Sequence, residues 1–268
     1  MKLLAASLLV FACACRSVPP AAPAAPRDAP APAARGAADP VVPPARPAPL
    51  APAHGDPAHA AAPAPANRDA HGPPDVDAYV KALLAPERVE RFQVPLVLDS
   101  LDPEPDAVIG DLGCGPGIFS TAFARRCPRG LVYAADVEPR QLDALNARLA
   151  AEDIRNVVPV LASRADPHFP PGALDLVFVA DTYHHLEERV AYMRRLASAL
   201  KPGGRVALLD YKPGKLDHGP PPEHKLPAGT MEREMREAGY VLVQTFDTHS
   251  DHDFQVWRAM TPWERERR

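Results

Sequence analysis

The sequence predicts an α/β domain with a mostly parallel sheet and helices on both faces. Apolar runs of strand length alternate with stretches whose apolar residues recur at helical spacing, the order that builds a parallel sheet. Runs such as L-D-L-V-F-V-A at residues 174–180 are apolar almost throughout, as strands covered on both faces are. The runs end in glycine, acidic or histidine residues, at the carboxyl edge where open α/β sheets bind ligands.

Of the 268 residues, 75–268 have the composition of such a domain, and they are enough for one compact core. Residues 1–15 read as a secretory signal, with Lys2 as the basic start and Leu3, Leu4, Leu8, Leu9, Val10 and Phe11 as the apolar centre. At about ten residues that centre is too short to span a bilayer as a mature helix. Cys13 and Cys15 each follow an alanine, and the stretch resembles the lipobox of bacterial lipoproteins. That resemblance implies a lipid anchor in the cell envelope. Without lipidation the expectation is periplasmic export, and with a downstream start codon a cytoplasmic protein. Residues 16–74 are mostly alanine and proline, with no aromatic residue other than histidine and Leu50 as the one leucine. Such a stretch buries too little apolar surface to offset chain entropy, so a disordered spacer is expected. His54, His59 and His71 within it are too loosely spaced for a metal site.

The net charge of −4, without long runs of one sign, supplies no footprint for nucleic acid. Cys114 and Cys127 stand at opposite ends of a helical pattern, roughly more than 10 Å apart at the rise of a helix, so no internal disulfide is expected.

Taken in order, the apolar residues of 79–101 predict one or two helices interrupted at Pro86 and Pro95. Ala107, Val108 and Ile109 lead as a short strand into D-L-G-C-G-P-G at 111–117, and Ile118, Phe119, Ala122, Phe123 and Ala124 continue as a helix. Residues 131–137 form a strand ending in Asp136, and Pro139 opens a helix with Leu142, Leu145 and Leu149 facing inward. Strands follow at 157–161 and 174–180, then a helix over 190–200 closed by K-P-G-G, and a strand at 206–210. Residues 211–227 form a long loop carrying His218, Glu223, His224 and Lys225, which reads as a substrate cover or as a rigid surface loop. A helix over 228–238 and strands at 240–246 and 254–260 complete the chain. His249, Asp251, His252 and Asp253 between those strands read as a hairpin turn or as a weak metal site.

The glycines of 111–117 allow positive φ and close approach to a ligand, ahead of a helix N-terminus that favours negative charge. The dinucleotide fingerprint G-x-G-x-x-G fails, because Ile118 stands where its third glycine should be and Gly117 falls one place early. An acidic residue followed by G-x-G-x-G resembles the first motif of class I S-adenosylmethionine-dependent methyltransferases. The strand ending in Asp136, the strand ending in D-T-Y-H-H-L and the K-P-G-G turn extend that resemblance over about residues 75–260.

The resemblance implies a Rossmann-like seven-stranded sheet, mostly parallel, with an antiparallel last strand. It implies S-adenosyl-L-methionine as cofactor, held by Asp111, Gly113, Gly115, Gly117 and Asp136, with Asp111 anchoring the loop. Asp136 would accept from the ribose hydroxyls, and Val137 would lie against the adenine face. Ser163 is placed at the adenine edge or in a simple turn, and Asp181 is counted with the cofactor set. Tyr183, His184 and His185, at the lip of the central strand, are the candidates for substrate orientation or general-base work. For the histidines, helix capping and a polar core position remain the alternative. No metal is assigned. The acceptor is expected to be a small molecule, with no nucleic acid and no membrane contact beyond the lipid anchor. A non-catalytic envelope binding protein on the same fold is the rival reading, and a nicotinamide oxidoreductase is disfavoured by the glycine spacing.

Overall fold

A computed structural model describes residues 75–267, so the signal expected at 1–15 and the spacer expected at 16–74 lie outside the described residues. The described part is a seven-stranded sheet, β1 (Val108–Leu112), β2 (Leu131–Asp136), β3 (Val157–Leu161), β4 (Leu174–Ala180), β5 (Leu200–Tyr211), β6 (Tyr240–Phe246) and β7 (His252–Ala259). Their spatial order is β3-β2-β1-β4-β5-β7-β6. β1 to β5 pair in parallel, and β7 runs antiparallel between β5 and β6, as the expected fold requires. The chain steps outward from β1 to β3, then returns to β4 beside β1. That reversal opens a crevice above the carboxyl ends of β1 and β4.

Helices α1 (Val76–Leu83), α2 (Pro86–Arg91) and α3 (Val94–Leu101) precede the sheet, and α4 (Ile118–Arg126), α5 (Pro139–Ala151), α6 (Arg189–Leu196), α7 (Thr230–Glu237) and α8 (Pro262–Glu266) follow. One sheet face packs against Phe119 and Phe123 of α4 and Leu142, Leu145 and Leu149 of α5. The Phe119 and Phe178 rings meet there at 4.5 Å. The other face packs against Tyr192, Met193 and Leu196 of α6 and Met231 and Met235 of α7. Strand alternation explains the division, since Phe178 faces the first layer while Val177 and Val179 face the second. Cys114 and Cys127 are buried free thiols.

Three departures from expectation have local causes. The leading segment makes three helices, because Gln93 adopts a left-handed φ of 45° and ends α2 ahead of Pro95. The K-P-G-G stretch is a bulge inside β5: Leu174 pairs with Leu200, but Leu176 already pairs with Arg205. Gly203, at φ +83°, supplies the reversal that such a bulge needs. β7 starts at His252, earlier than 254, so the histidine belongs to a strand and not to a turn. Among the described residues no helix is long and apolar enough to cross a membrane.

Candidate active site

The loop after β1 is stitched to the end of β2. Gly113 and Cys114 donate their N–H groups to Ala135 O at 2.8 and 3.0 Å. Gly115 N–H donates to Asp136 Oδ2 at 2.8 Å, and Glu138 N–H to Asp136 Oδ1 at 2.9 Å. Asp136 thus fixes both the glycine loop and the turn into α5. Burial raises its pKa, against the bonds from Glu138 and Gly115 that favour the carboxylate.

Two of the loop glycines are required by packing as well as by φ. A Cβ on Gly113 would lie 2.1 Å from Thr182 Oγ1, and one on Gly117 would lie 2.3 Å from Leu145 Cδ1. At Gly115 a Cβ would meet nothing nearer than Leu83 Cδ1 at 3.5 Å, so only its φ of +53° calls for glycine. Gly117 caps α4 with no side-chain bond, which leaves the first-turn amides open to an anionic group.

Asp111 is buried within β1 and accepts from Ser120 Oγ at 2.5 Å. Burial pushes its carboxyl up to about 7, while the Ser120 bond pulls the other way. Val137 is 54% exposed beside Asp136, an apolar surface at the strand end. Ser163 is exposed and closes a turn, donating from both N and Oγ to Asp166 O.

Across the crevice, the ends of β4, β5 and β7 bring together groups far apart in sequence. Asp181 takes φ +47° and accepts from Arg88 Nη2 at 2.8 Å, and its other oxygen lies 2.8 Å from His252 Nε2. His252 Nδ1 lies 2.8 Å from Asp251 Oδ1, and the Tyr211 ring stacks on the imidazole at 4.4 Å. Burial pushes His252 toward neutrality, but the two carboxylates outweigh it and hold its pKa above 6.5. The cluster does form the connection between β6 and β7, and its Asp251 and His252 also join an ion-pair chain, Arg88–Asp181–His252–Asp251. Among the described residues no group of three or more His, Cys, Asp or Glu side chains is placed to hold a metal.

His184 has its Nδ1 2.7 Å from Asp210 Oδ1, and both side chains are buried. His184 N–H and Tyr211 N–H also donate to the Asp210 carboxylate, fixing it in place. A carboxylate partner makes Nδ1 the donor and leaves the imidazole lone pair on Nε2, the arrangement of an oriented general base. The His185 ring lies 4.0 Å from that of His184. Tyr183 is not brought to this lip. Its ring is buried in the layer under α6 and α7, and its hydroxyl donates to Glu234 Oε2 at 3.1 Å. Burial raises the phenol's pKa, and the Glu234 charge adds to it.

A groove of about 600 Å³ opens beside the ion-pair chain, between Glu87, Glu90 and Arg91 of α2, Leu216 and His218 of the 211–227 loop, and Asp251. The loop is packed onto the site by Gly219, where a Cβ would lie 2.4 Å from the Tyr211 ring. Lys225 Nζ donates to Gly214 O and holds the loop to itself.

Sequence reasoning missed Asp210, Arg88 and the linking role of His252. Asp210 was legible as the acid ending a β strand, by the same rule that singled out Asp136. Arg88 lies in P-E-R-V-E-R, which reads as a solvated helix face.

The family described as "Methyltransferase domain" matches residues 109–204, from β1 into the β5 bulge. The chain is 33% identical over 113 residues to nocamycin O-methyltransferase from Saccharothrix syringae, across 42% of this chain and 40% of that protein. It thus spans well under two thirds of that relative's length. A solved S-adenosylmethionine-dependent methyltransferase from Aquifex aeolicus superposes with a TM-score of 0.64 at 24% identity, over 68% of this chain and 97% of that one. The [4+2]-cyclase SpnF superposes at a TM-score of 0.55 and 15% identity, over 63% of this chain and 80% of that one. Residues 109–204 thus match a methyltransferase domain, and the described part has the Rossmann-like fold of that solved methyltransferase.

Proposed function

We propose that the protein transfers a methyl group from S-adenosyl-L-methionine to a small-molecule acceptor. The observation that carries this reading is the bond from Gly115 N–H to Asp136, which sets a bare backbone loop and one carboxylate at adjacent strand ends. The residues fit such a nucleoside. Gly113, Gly115 and Gly117 bring backbone close, Asp136 offers acceptors to a ribose, and Val137 offers an apolar face to adenine. When bound, that cofactor supplies an electrophilic methyl group on a sulfonium, transferred by in-line displacement.

This chain's own residues then have two tasks, to align the acceptor and to exclude water. The acceptor enters through the groove beside Asp251, under the 211–227 loop, and reaches the ends of β4 and β5. His184, held by Asp210, removes the proton from an acceptor hydroxyl or amine as its oxygen or nitrogen is methylated. His185 shapes the same lip. Such a base contributes on the order of 10²- to 10⁴-fold. The test is methyl transfer to a panel of hydroxyl- and amine-bearing acceptors, followed by mass. A product heavier by one methylene supports the reading, and loss of turnover without loss of cofactor binding in His184→Ala supports the base. Turnover unchanged in that variant removes His184 from the mechanism.

The lipobox-like cysteines support a second reading, an envelope-anchored binding protein that keeps the fold without turnover, because export would part it from a cytoplasmic cofactor. Fold does not dictate chemistry, as the cyclase neighbour illustrates. Mass measurement of the mature N-terminus tests the anchor at Cys13 or Cys15. Binding of the cofactor with no methylated product from any acceptor favours this second reading.

A further inference from the structure

The sheet has two outer strands, and their sequences differ in kind. β3 is five residues long and holds Pro159, which supplies no N–H to a further strand. β6, at the other edge, runs seven residues as Y-V-L-V-Q-T-F, without a charge, a proline or a glycine. Its backbone pairs with β7 on one side and with no described strand on the other. Against β7 the strand slips between Leu242 and Gln244, and Val243 at the slip is 53% exposed. The bulge thus turns an apolar side chain outward, where a protected edge carries lysine. Beside the start of β6, Met260 N–H donates to Gly239 O, and α8 follows with Trp263 59% exposed and Arg267 over its ring at 4.0 Å. A capping box at Thr261 and two bonds from Arg258 to Glu264 hold that short helix in place.

Unpaired strand groups beside exposed Val243 and Trp263 suit an added strand from another chain. The protein's own residues 16–74 are rich in proline and offer few of the N–H groups such a strand needs. A second copy of β6 offers them all and brings no like charge. Set antiparallel about a two-fold axis at Val243, it places Gly239 opposite Asp247 of the other copy. Asp247 is fully exposed, with Lys212 Nζ at 3.9 Å. It arrives where α8 presents Arg265. That charge reaches the start of β6: burial raises the pKa of the Tyr240 phenol, and Arg265 lowers it. The edge is therefore complementary to itself, uncharged along its length and opposite in charge at its two ends.

We propose that β6 pairs antiparallel with β6 of a second copy about a two-fold axis at Val243, joining two seven-stranded sheets into one, with Asp247 of each copy against Arg265 of the other. The crevice at β1 and β4 lies on the far side of β5 and β7 from this edge, so both sites stay open. The pairing holds whatever the crevice binds.

The experiment is light scattering on the full chain through a dilution series. The wild type is expected at the mass of two chains, falling toward one on dilution, and a single chain at every concentration overturns the inference. Val243→Lys sets like charges against each other at the axis and should weaken association about tenfold or more, whereas unchanged association overturns the pairing. If that variant does not fold, Thr245→Lys, exposed on the same strand, carries the same test. Val243→Cys reads the register. Residues directly opposite in antiparallel strands have Cα atoms about 4.5–5.5 Å apart, within disulfide reach. Oxidation should therefore give this variant a cross-linked dimer above the wild-type background, and none above it overturns the register. Asp247→Arg and Arg265→Asp should each weaken association about two- to tenfold, and the double variant should recover it. A double variant as weak as the two losses combined sets those charges apart and overturns the two-fold.

Discussion

Replacing Asp181 by Asn tests whether a charged imidazole really sits between two carboxylates at the edge of the crevice. The backbone accepts the change, because asparagine tolerates the left-handed φ of +47° as well as aspartate does. Asp181 takes two charge-assisted bonds at 2.8 Å, from Arg88 and from His252. Each is worth about 1.5–3 kcal/mol. Asparagine keeps a carbonyl oxygen for Arg88 but turns an amide N–H toward His252 Nε2, which suits only a neutral ring donating from Nδ1 to Asp251. The variant therefore loses about 3 kcal/mol where the wild-type ring is charged, and about half of that where it is neutral. The sign follows from the shift. The pKa of His252 is raised above 6.5 in the folded protein, so its contribution is full below 6.5 and is lost as pH rises through the folded value. Asp251 is opposite in sense. Burial opposes its ionisation, but His252 outweighs that and holds its carboxyl below the ordinary 3.8, so its share is lost only as pH falls through that lowered value. Urea denaturation at pH 6 and pH 9 should give a wild-type-to-variant gap that narrows toward pH 9. A gap that is constant, or that widens, refutes the charged bridge.

Other expectations follow from the same geometry. Gly113→Ala and Gly117→Ala should each destabilise by about 2 kcal/mol or more, since both combine positive φ with a collision, whereas Gly115→Ala should cost about 1 kcal/mol from strain alone. Denaturation ranks the three, and Gly115→Ala should still impair cofactor binding because its methyl enters the cleft. Asp111, pushed up to about 7 by burial, makes wild-type stability fall as pH rises from about 4 to about 7. Asp111→Asn should flatten that fall, by an amount on the order of a few kcal/mol at pH 8, and an unchanged pH profile would contradict the buried acid. Tyr183→Phe should cost about 1.5–3 kcal/mol through the lost bond to the Glu234 carboxylate and leave turnover as it is. A large loss of turnover would return Tyr183 to the reaction.

The strands, the glycine loop and Asp136 were legible in the sequence because they are local. An apolar run, a turn that needs glycine and an acid at a strand end each write their signal within a few residues. The dyad and the ion-pair chain are not local. His184 meets Asp210 only because β5 lies beside β4, and His252 meets Asp181 only because β7 returns antiparallel next to β5. The turn read from H-S-D-H-D does link β6 to β7, but the antiparallel return places its second histidine already in a strand, opposite Tyr211. Tyr183 shows the converse. Its place in the sequence beside two histidines pointed to the lip, but the turn at 183–185 sends successive side chains to different faces, and the phenol goes to Glu234.

The central claim is that a nucleoside lies across the ends of β1 and β2, held by the glycine loop and Asp136. Calorimetric titration with S-adenosylhomocysteine, wild type against Asp136→Ala, tests it most directly. Saturable one-site binding is expected, weakened at least about tenfold in the variant, as loss of a charged acceptor for a hydroxyl requires. Absence of binding by the wild type, or equal affinity in the two proteins, contradicts it.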